Sequence, residues 1–213
     1  MAENLFEKIA AGIKTIFSSE NVMMARKWFR EEAQKITNVN LRQLFEGADK
    51  KTIRVINISA VGSMFMYHYD PKLKDKLPYY DTFPLIFVIE IYNDGFLGIN
   101  LHYLPPYYRA KLMDALYEIA TVPYAVPKKD KDKPQKNIVG NDKMKLQISY
   151  NILKSASRFR LFRPCVKRYL FSHVTSRYLF VEPSKWDLVL MLPTQRFVKA
   201  SEDQVYRDSA RMM

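Results

Sequence analysis

Cysteine occurs once in these 213 residues, histidine three times and glycine six times. A lone cysteine excludes a disulfide-stapled scaffold and a cysteine-based zinc or iron–sulfur site. Three histidines leave little for a histidine-rich metal centre, so neither a metal nor any other cofactor is expected. The glycines form no phosphate-cradling loop, and there is no Gly-x-Ser-x-Gly elbow for a serine nucleophile. Long apolar runs are also missing. The first nineteen residues break their apolar positions every few residues, and Glu3 and Glu7 stand where a leader carries positive charge. Neither a leader nor a membrane span is therefore expected, and the Asn57-Ile58-Ser59 sequon carries no weight. What is scarce above all is negative charge: 34 Lys and Arg stand against 22 Asp and Glu, a net +12. With 48% apolar residues the chain can still bury a real core.

Periodicity suggests an α+β protein. Residues 1–50 read as a helical segment: a stripe of Leu5, Phe6, Ile9, Ile13, Ile16 and Phe17, then Asn21 to Lys35, then a turn of helix over 40–46 stopped by Gly47. The stripe fits a helix packing on its own core, or one docking on a membrane surface or a partner. Residues 51–120 read as a small β-rich core plus a helix. Thr52–Ser59 and Ser63–Tyr69 alternate, Phe83–Tyr92 is a near-continuous apolar strand, and Asn93-Asp94-Gly95 is a hairpin turn leading to Phe96–Tyr103. Short antiparallel strands in so few residues suggest an SH3-like barrel or a strongly curled sheet. Pro105-Pro106 opens a helix through Leu112, Leu116 and Ile119. Residues 121–142, with Lys128-Lys129-Asp130-Lys131-Asp132-Lys133-Pro134, read as a mobile charged excursion. Residues 143–213 read as a basic helical region packed on the core. One helix is expected over Lys143–Arg163, and a second restarts at Pro164. Tyr178–Val181 is a short strand, Ser184 caps a helix to Leu192, and Ser201 with Gln204 makes a capping box.

The positive charge is concentrated. Between Lys143 and Val181 there are nine basic residues and no acid: Lys143, Lys145, Lys154, Arg158, Arg160, Arg163, Lys167, Arg168 and Arg177. A solvated helix face normally mixes both signs. Lys154 and Arg158 are four apart, as are Arg163 and Lys167, so on a helix each pair would stack like charges at a cost of a few tenths of a kcal/mol. Such a face calls for an anionic partner, either nucleic acid or an acidic protein neighbour. Arginine predominates from 158 to 177, which suits bidentate contacts to phosphate.

Candidate chemistry is thin. Asp70, Asp81, Glu90 and Asp94 lie in the β region, but none is followed two residues on by the lysine of a metal-nuclease strand. His68 and His102 on neighbouring strands, with Asp70 near, would make a His–His–Asp group, although strand histidines are more often structural. Cys165 is flanked by Arg163, Lys167 and Arg168, which would lower a thiol pKa. With no histidine or acid nearby in sequence, it reads as a packing residue. No catalytic residue and no small-molecule substrate are expected.

Two long stretches carry a resemblance. One runs from Phe65 to Tyr117 and includes YYDTFPL and DGFLGINLHYLPP; the other runs from Leu153 to Ser209. Together with ARKWFREEAQKITNVNLRQLF (Ala25–Phe45) they resemble a family of T-even-like tailed phages and their cyanophage relatives, the DNA end protectors. The resemblance implies a non-enzymatic virion protein, present in the host cytoplasm during assembly, that binds double-stranded DNA ends and shields them from host exonuclease. Lys154, Arg158, Arg160, Arg163, Lys167, Arg168 and Arg177 would then hold phosphates. Tyr79, Tyr80, Tyr107 or Tyr108 would stack on the terminal base pair. Phage head, neck or tail proteins would be further partners. The alternative is a structural tail, neck or baseplate subunit whose basic surface docks an acidic virion protein.

Overall fold

The segment LIFVIEIY (Leu85–Tyr92) is apolar on both sides until Glu90, and such a run belongs inside a sheet covered on both faces. It occupies that place in the computed structural model, which describes residues 19–41, 55–57, 60–121 and 161–213. The elements, in chain order, are α1 (Ser19–Gln34), β1 (Met64–Met66), β2 (Tyr80–Asp81), β3 (Leu85–Tyr92), β4 (Gly95–Asn100), a 3-10 turn (Leu101–Tyr103), α2 (Pro106–Thr121), β5 (Val166–Leu170), a 3-10 turn (Phe171–His173), β6 (Leu179–Val181), a 3-10 turn (Pro183–Lys185), α3 (Trp186–Val189), β7 (Phe197–Val198) and α4 (Glu202–Met212). The fold is α+β. Five strands form one antiparallel sheet in the order β5-β4-β3-β1-β6, and β2 pairs with β7 as a separate ribbon.

Each face of the sheet carries its own core. Met64, Met66, Leu85, Phe87 and Ile99 face a large cluster that takes in Leu112 and Met113 of α2, Trp186, Leu188 through Leu192, and Val205 of α4. Phe65, Tyr67, Ile86, Val88, Phe96, Tyr169 and Phe180 face a smaller, aromatic cluster. The alternation of Ser63–Tyr69 thus sorts methionines to one core and aromatics to the other, as period two requires. Beyond the strands the chain curls around the aromatic core: Tyr69 bridges Val174, and Asp70 N–H donates to His173 O at 3.0 Å.

Close approach sets two of the glycines. Tyr92 pairs with Gly95 across a two-residue turn, Asn93-Asp94, as that motif predicts. A Cβ on Gly95 would lie 1.9 Å from the Tyr169 carbonyl oxygen, and one on Gly98 would lie 2.3 Å from Ile86 Cγ2. Neither strand neighbour leaves room for a side chain.

Several expectations are corrected. Pro164 does not restart a helix: Val166–Leu170 is strand β5, paired with the outer edge of β4. The helical reading rested on Pro164 at a first-turn position; β4 instead offers that edge a row of unpaired backbone groups, and Tyr169 drops into the aromatic core. Of the Thr52–Ser59 strand, the described residues 55–57 are irregular, with Ile56 buried and Val55 exposed. Ser184 sits inside a 3-10 turn and caps nothing; α3 starts at Trp186 with no side-chain cap. Ser201 does cap α4, its Oγ accepting from Gln204 N–H at 3.3 Å, but the Gln204 amide turns to Asp208, so only half of the capping box forms. The 5–17 stripe, the turn beyond Leu41, the 122–142 excursion and the helix expected over Lys143–Arg163, up to Arg160, lie outside the described residues. Among the described residues no helix is long and apolar enough to cross a membrane.

Candidate nucleic-acid interface

Strand β5 carries two of the expected phosphate-binding residues, and a strand sends neighbours to opposite faces. Lys167 turns over the Tyr103 ring, its Nζ 4.2 Å from the centroid. Burial pushes its ammonium pKa down. Arg168 goes the other way, ion-paired with Asp94 and stacked 4.0 Å over Tyr92. Arg163 is exposed on the turn before β5, and Arg177 is exposed on the loop before β6. Arg163 and Lys167 therefore do not stack on one helix face. Lys154, Arg158 and Arg160 lie outside the described residues.

Lys167 and Arg168 do meet in one feature that sequence spacing did not reveal. A groove of about 560 Å³ runs between β5, the loop 71–78 and the end of α4. Its floor is aromatic, with Tyr69, Tyr79, Tyr103 and Tyr169, and its surface is mostly carbon. Tyr79 packs on Tyr103 with ring centroids 6.0 Å apart and meets Phe197 edge-on at 6.5 Å. Lys72, Lys167 and Arg168 supply positive charge, and Leu73, Leu77 and Met212 form an apolar lip that stands exposed. Among the described residues neither Lys72 nor Lys167 has a carboxylate partner.

Asp81 is the groove's one acid, and its oxygens are fully committed. Oδ1 accepts from Phe83 N–H at 3.0 Å and Arg196 N–H at 3.1 Å; Oδ2 accepts from the Asn100 amide at 3.2 Å and His102 Nδ1 at 2.8 Å. Burial alone would raise this carboxyl, but His102 and the two backbone donors hold it below its ordinary value. His102 in turn is pushed down by burial against the pull of Asp81, and its neutral Nε2 accepts from the Thr194 hydroxyl at 3.0 Å. The order Asp–His–hydroxyl resembles a nucleophilic triad, but His102 and Thr194 are fully buried. The array is an internal strut tying β2, the turn after β4 and the segment before β7 together. The signal for its first member was local: Asp81 accepting from Phe83 N–H two residues on is an Asx turn.

The other candidates separate. His102 does not share a site with His68, which packs on Phe83 at 4.7 Å, or with Asp70, which pairs with Lys74 at 3.0 Å. Asp94 holds Arg168, and the Glu90 carboxylate beside Tyr92 pushes that phenol's pKa up. No group of acids, histidines and cysteine among the described residues is arranged to hold a metal ion. Cys165 is wholly buried, and burial pushes its thiol pKa up, against the lowering expected from its basic neighbours. Tyr107 and Tyr108 stand exposed at the start of α2, with Lys111 Nζ 4.6 Å over the Tyr107 ring, and neither lines the groove.

No curated protein and no solved structure matches this chain. A family model does, over residues 15–210, a span that holds the whole sheet, every residue of the groove lining but Met212, and nearly all of α4. Its description, Phage T4 terminal DNA protecting protein, agrees with the resemblance read in the 65–117 and 153–209 stretches, and the chain belongs to that family of bacteriophage DNA end-protecting proteins.

Proposed function

We propose that this protein shields linear double-stranded DNA by occupying its ends, and that it does so without chemistry. Phosphates near the terminus are held by a basic surface comprising Lys154, Arg158, Arg160, Arg163, Lys167, Arg168 and Arg177, and the aromatic groove contacts the terminus without enclosing it. The observation that carries this reading is the groove: cations without carboxylate partners over an aromatic floor, in a chain of this family. Phosphate contacts are independent of sequence, as protection of any terminus requires. The Arg168–Asp94 pair is exposed, and such pairs contribute about 0–1 kcal/mol, so phosphate readily replaces the carboxylate. The protein acts from the virion, bound to packaged DNA, and is made in the host cytoplasm, where head, neck or tail proteins are its assembly partners.

The test is digestion of a linear duplex by a processive exonuclease with excess circular duplex as competitor, at low and moderate salt. Protection that survives the circle and fades with salt is the expected result. Absence of both protection and binding at low salt would overturn the reading and assign the basic surface to an acidic virion protein.

A further inference from the structure

The groove is too small for the end of a duplex but has the size of a site for one small ligand, for which about 300–1,000 Å³ is usual. Its rim has a feature that phosphate binding does not use. The loop 71–78 carries two exposed leucines, Leu73 at 55% and Leu77 at 36%, between Lys72, Lys74 and Lys76. That loop is tied down. Lys199 Nζ donates to three of its carbonyls, those of Lys74, Asp75 and Leu77, at 2.6, 3.2 and 3.3 Å. Lys199 does so from a left-handed backbone, φ 72°, which a non-glycine residue adopts only when its surroundings enforce it. Exposed apolar side chains on a fixed basic loop are the form in which proteins part or cap base steps.

We infer that the groove takes a single unpaired nucleotide from the DNA terminus, its base against Tyr79 and its phosphate at Lys72 and Lys167, while Leu73 and Leu77 cap the first intact base pair. This rests on the proposed function and goes beyond it by naming the form of end preferred. Charge and surface both select this occupant. A base needs a dry aromatic wall, a phosphate needs cations, and the groove's one carboxylate is already spent on His102 and Asn100. An acidic peptide would find the cations but would leave the aromatic floor unused.

The experiment compares binding of the full chain to a blunt duplex and to the same duplex with a one-nucleotide extension, with 2-aminopurine as the terminal base. The extended end should bind roughly tenfold tighter, in the range that one stacked base contributes, and its fluorescence should be quenched on binding. Tyr79→Ala should reduce the ratio to about one and abolish the quenching, whereas Tyr79→Phe should keep both. Should Tyr79→Ala fold poorly, Leu73→Ser, at an exposed position, provides the second variant and should lower the ratio. Equal affinities with no quenching, on ends that are still bound and protected, would overturn the inference and leave end protection standing. No binding to either end would overturn both.

Discussion

At the scale of single residues, the buried charged side chains are met by partners, while two buried hydroxyls, of Tyr67 and Ser209, have none among the described residues. Arg109 is fully buried, and no carboxylate among the described residues forms an ion pair with it. Its guanidinium donates to Leu104 O at 2.7 Å, Leu190 O at 3.2 Å, Gln195 Oε1 at 3.1 Å and Tyr206 Oη at 3.0 Å, so one side chain joins α2, the end of α3 and α4. Asp81 and His102 follow the same rule and give stability a pH dependence of definite sign. Both groups are lowered in the folded protein, so the unfolded chain binds more protons on acidification. The histidine part is intact above its unfolded pKa, about 6.5, and is lost as pH falls through the folded value; the Asp81 part follows at more acid pH. His68, also lowered by burial, adds in the same direction. The apparent melting temperature is therefore expected to fall between pH 7 and pH 5, and His102→Gln to make that fall shallower. An unchanged slope in the variant would remove His102 from the account.

At the scale of elements, α1 is joined to the body by charge. Arg26 and Arg30 lie one turn apart, and each reaches both Asp114 of α2 and Asp187 of α3, at 2.7 to 2.8 Å. Asp187 is nearly buried, so removing its charge leaves two half-buried guanidinium groups short of a partner. Asp187→Asn should cost about 2 kcal/mol, in keeping with hydrogen bonds to charged groups, and appear in urea titration as a lower midpoint with the slope unchanged. Asp114→Asn should cost less, because Asp114 is half exposed. None of this was legible in the sequence, where 26, 114 and 187 have no common pattern. The β3–β4 hairpin was legible because its determinants are local: an apolar run, Asn93-Asp94-Gly95, and a return strand. Strand β5 was not, because Val166 and Tyr169, three apart, fit one face of a helix, whereas in the strand they serve the two opposite cores and only the waiting edge of β4 decides. The groove was half legible. Its tyrosines at 79 and 80 and its cations at 167 and 168 were named, but what brings them together is the pairing of β5 with β4 and the return of α4 beside the 71–78 loop.

At the scale of the whole molecule, two kinds of cation should behave differently. Arg163 and Arg177 are exposed and outside the groove lining, so on the proposed reading they touch phosphates along any duplex. Lys167 stands over Tyr103 within the groove and meets phosphate only where an end is present. With six to eight phosphates neutralised, the log–log dependence of binding on salt has a slope of about −5 to −7. Arg163→Gln and Arg177→Gln should each lower its magnitude by about one, equally on linear and circular DNA. Lys167→Gln should do so on linear DNA alone. Its burial adds a second contrast: phosphate opposes the lowering of the Lys167 ammonium pKa, so in the alkaline range where Lys167 titrates, binding to ends takes up protons and weakens as pH rises, whereas binding to circles does not. Equal effects of all three substitutions on both substrates would mean that the positive field merely concentrates DNA and that the groove has no part in recognising its end.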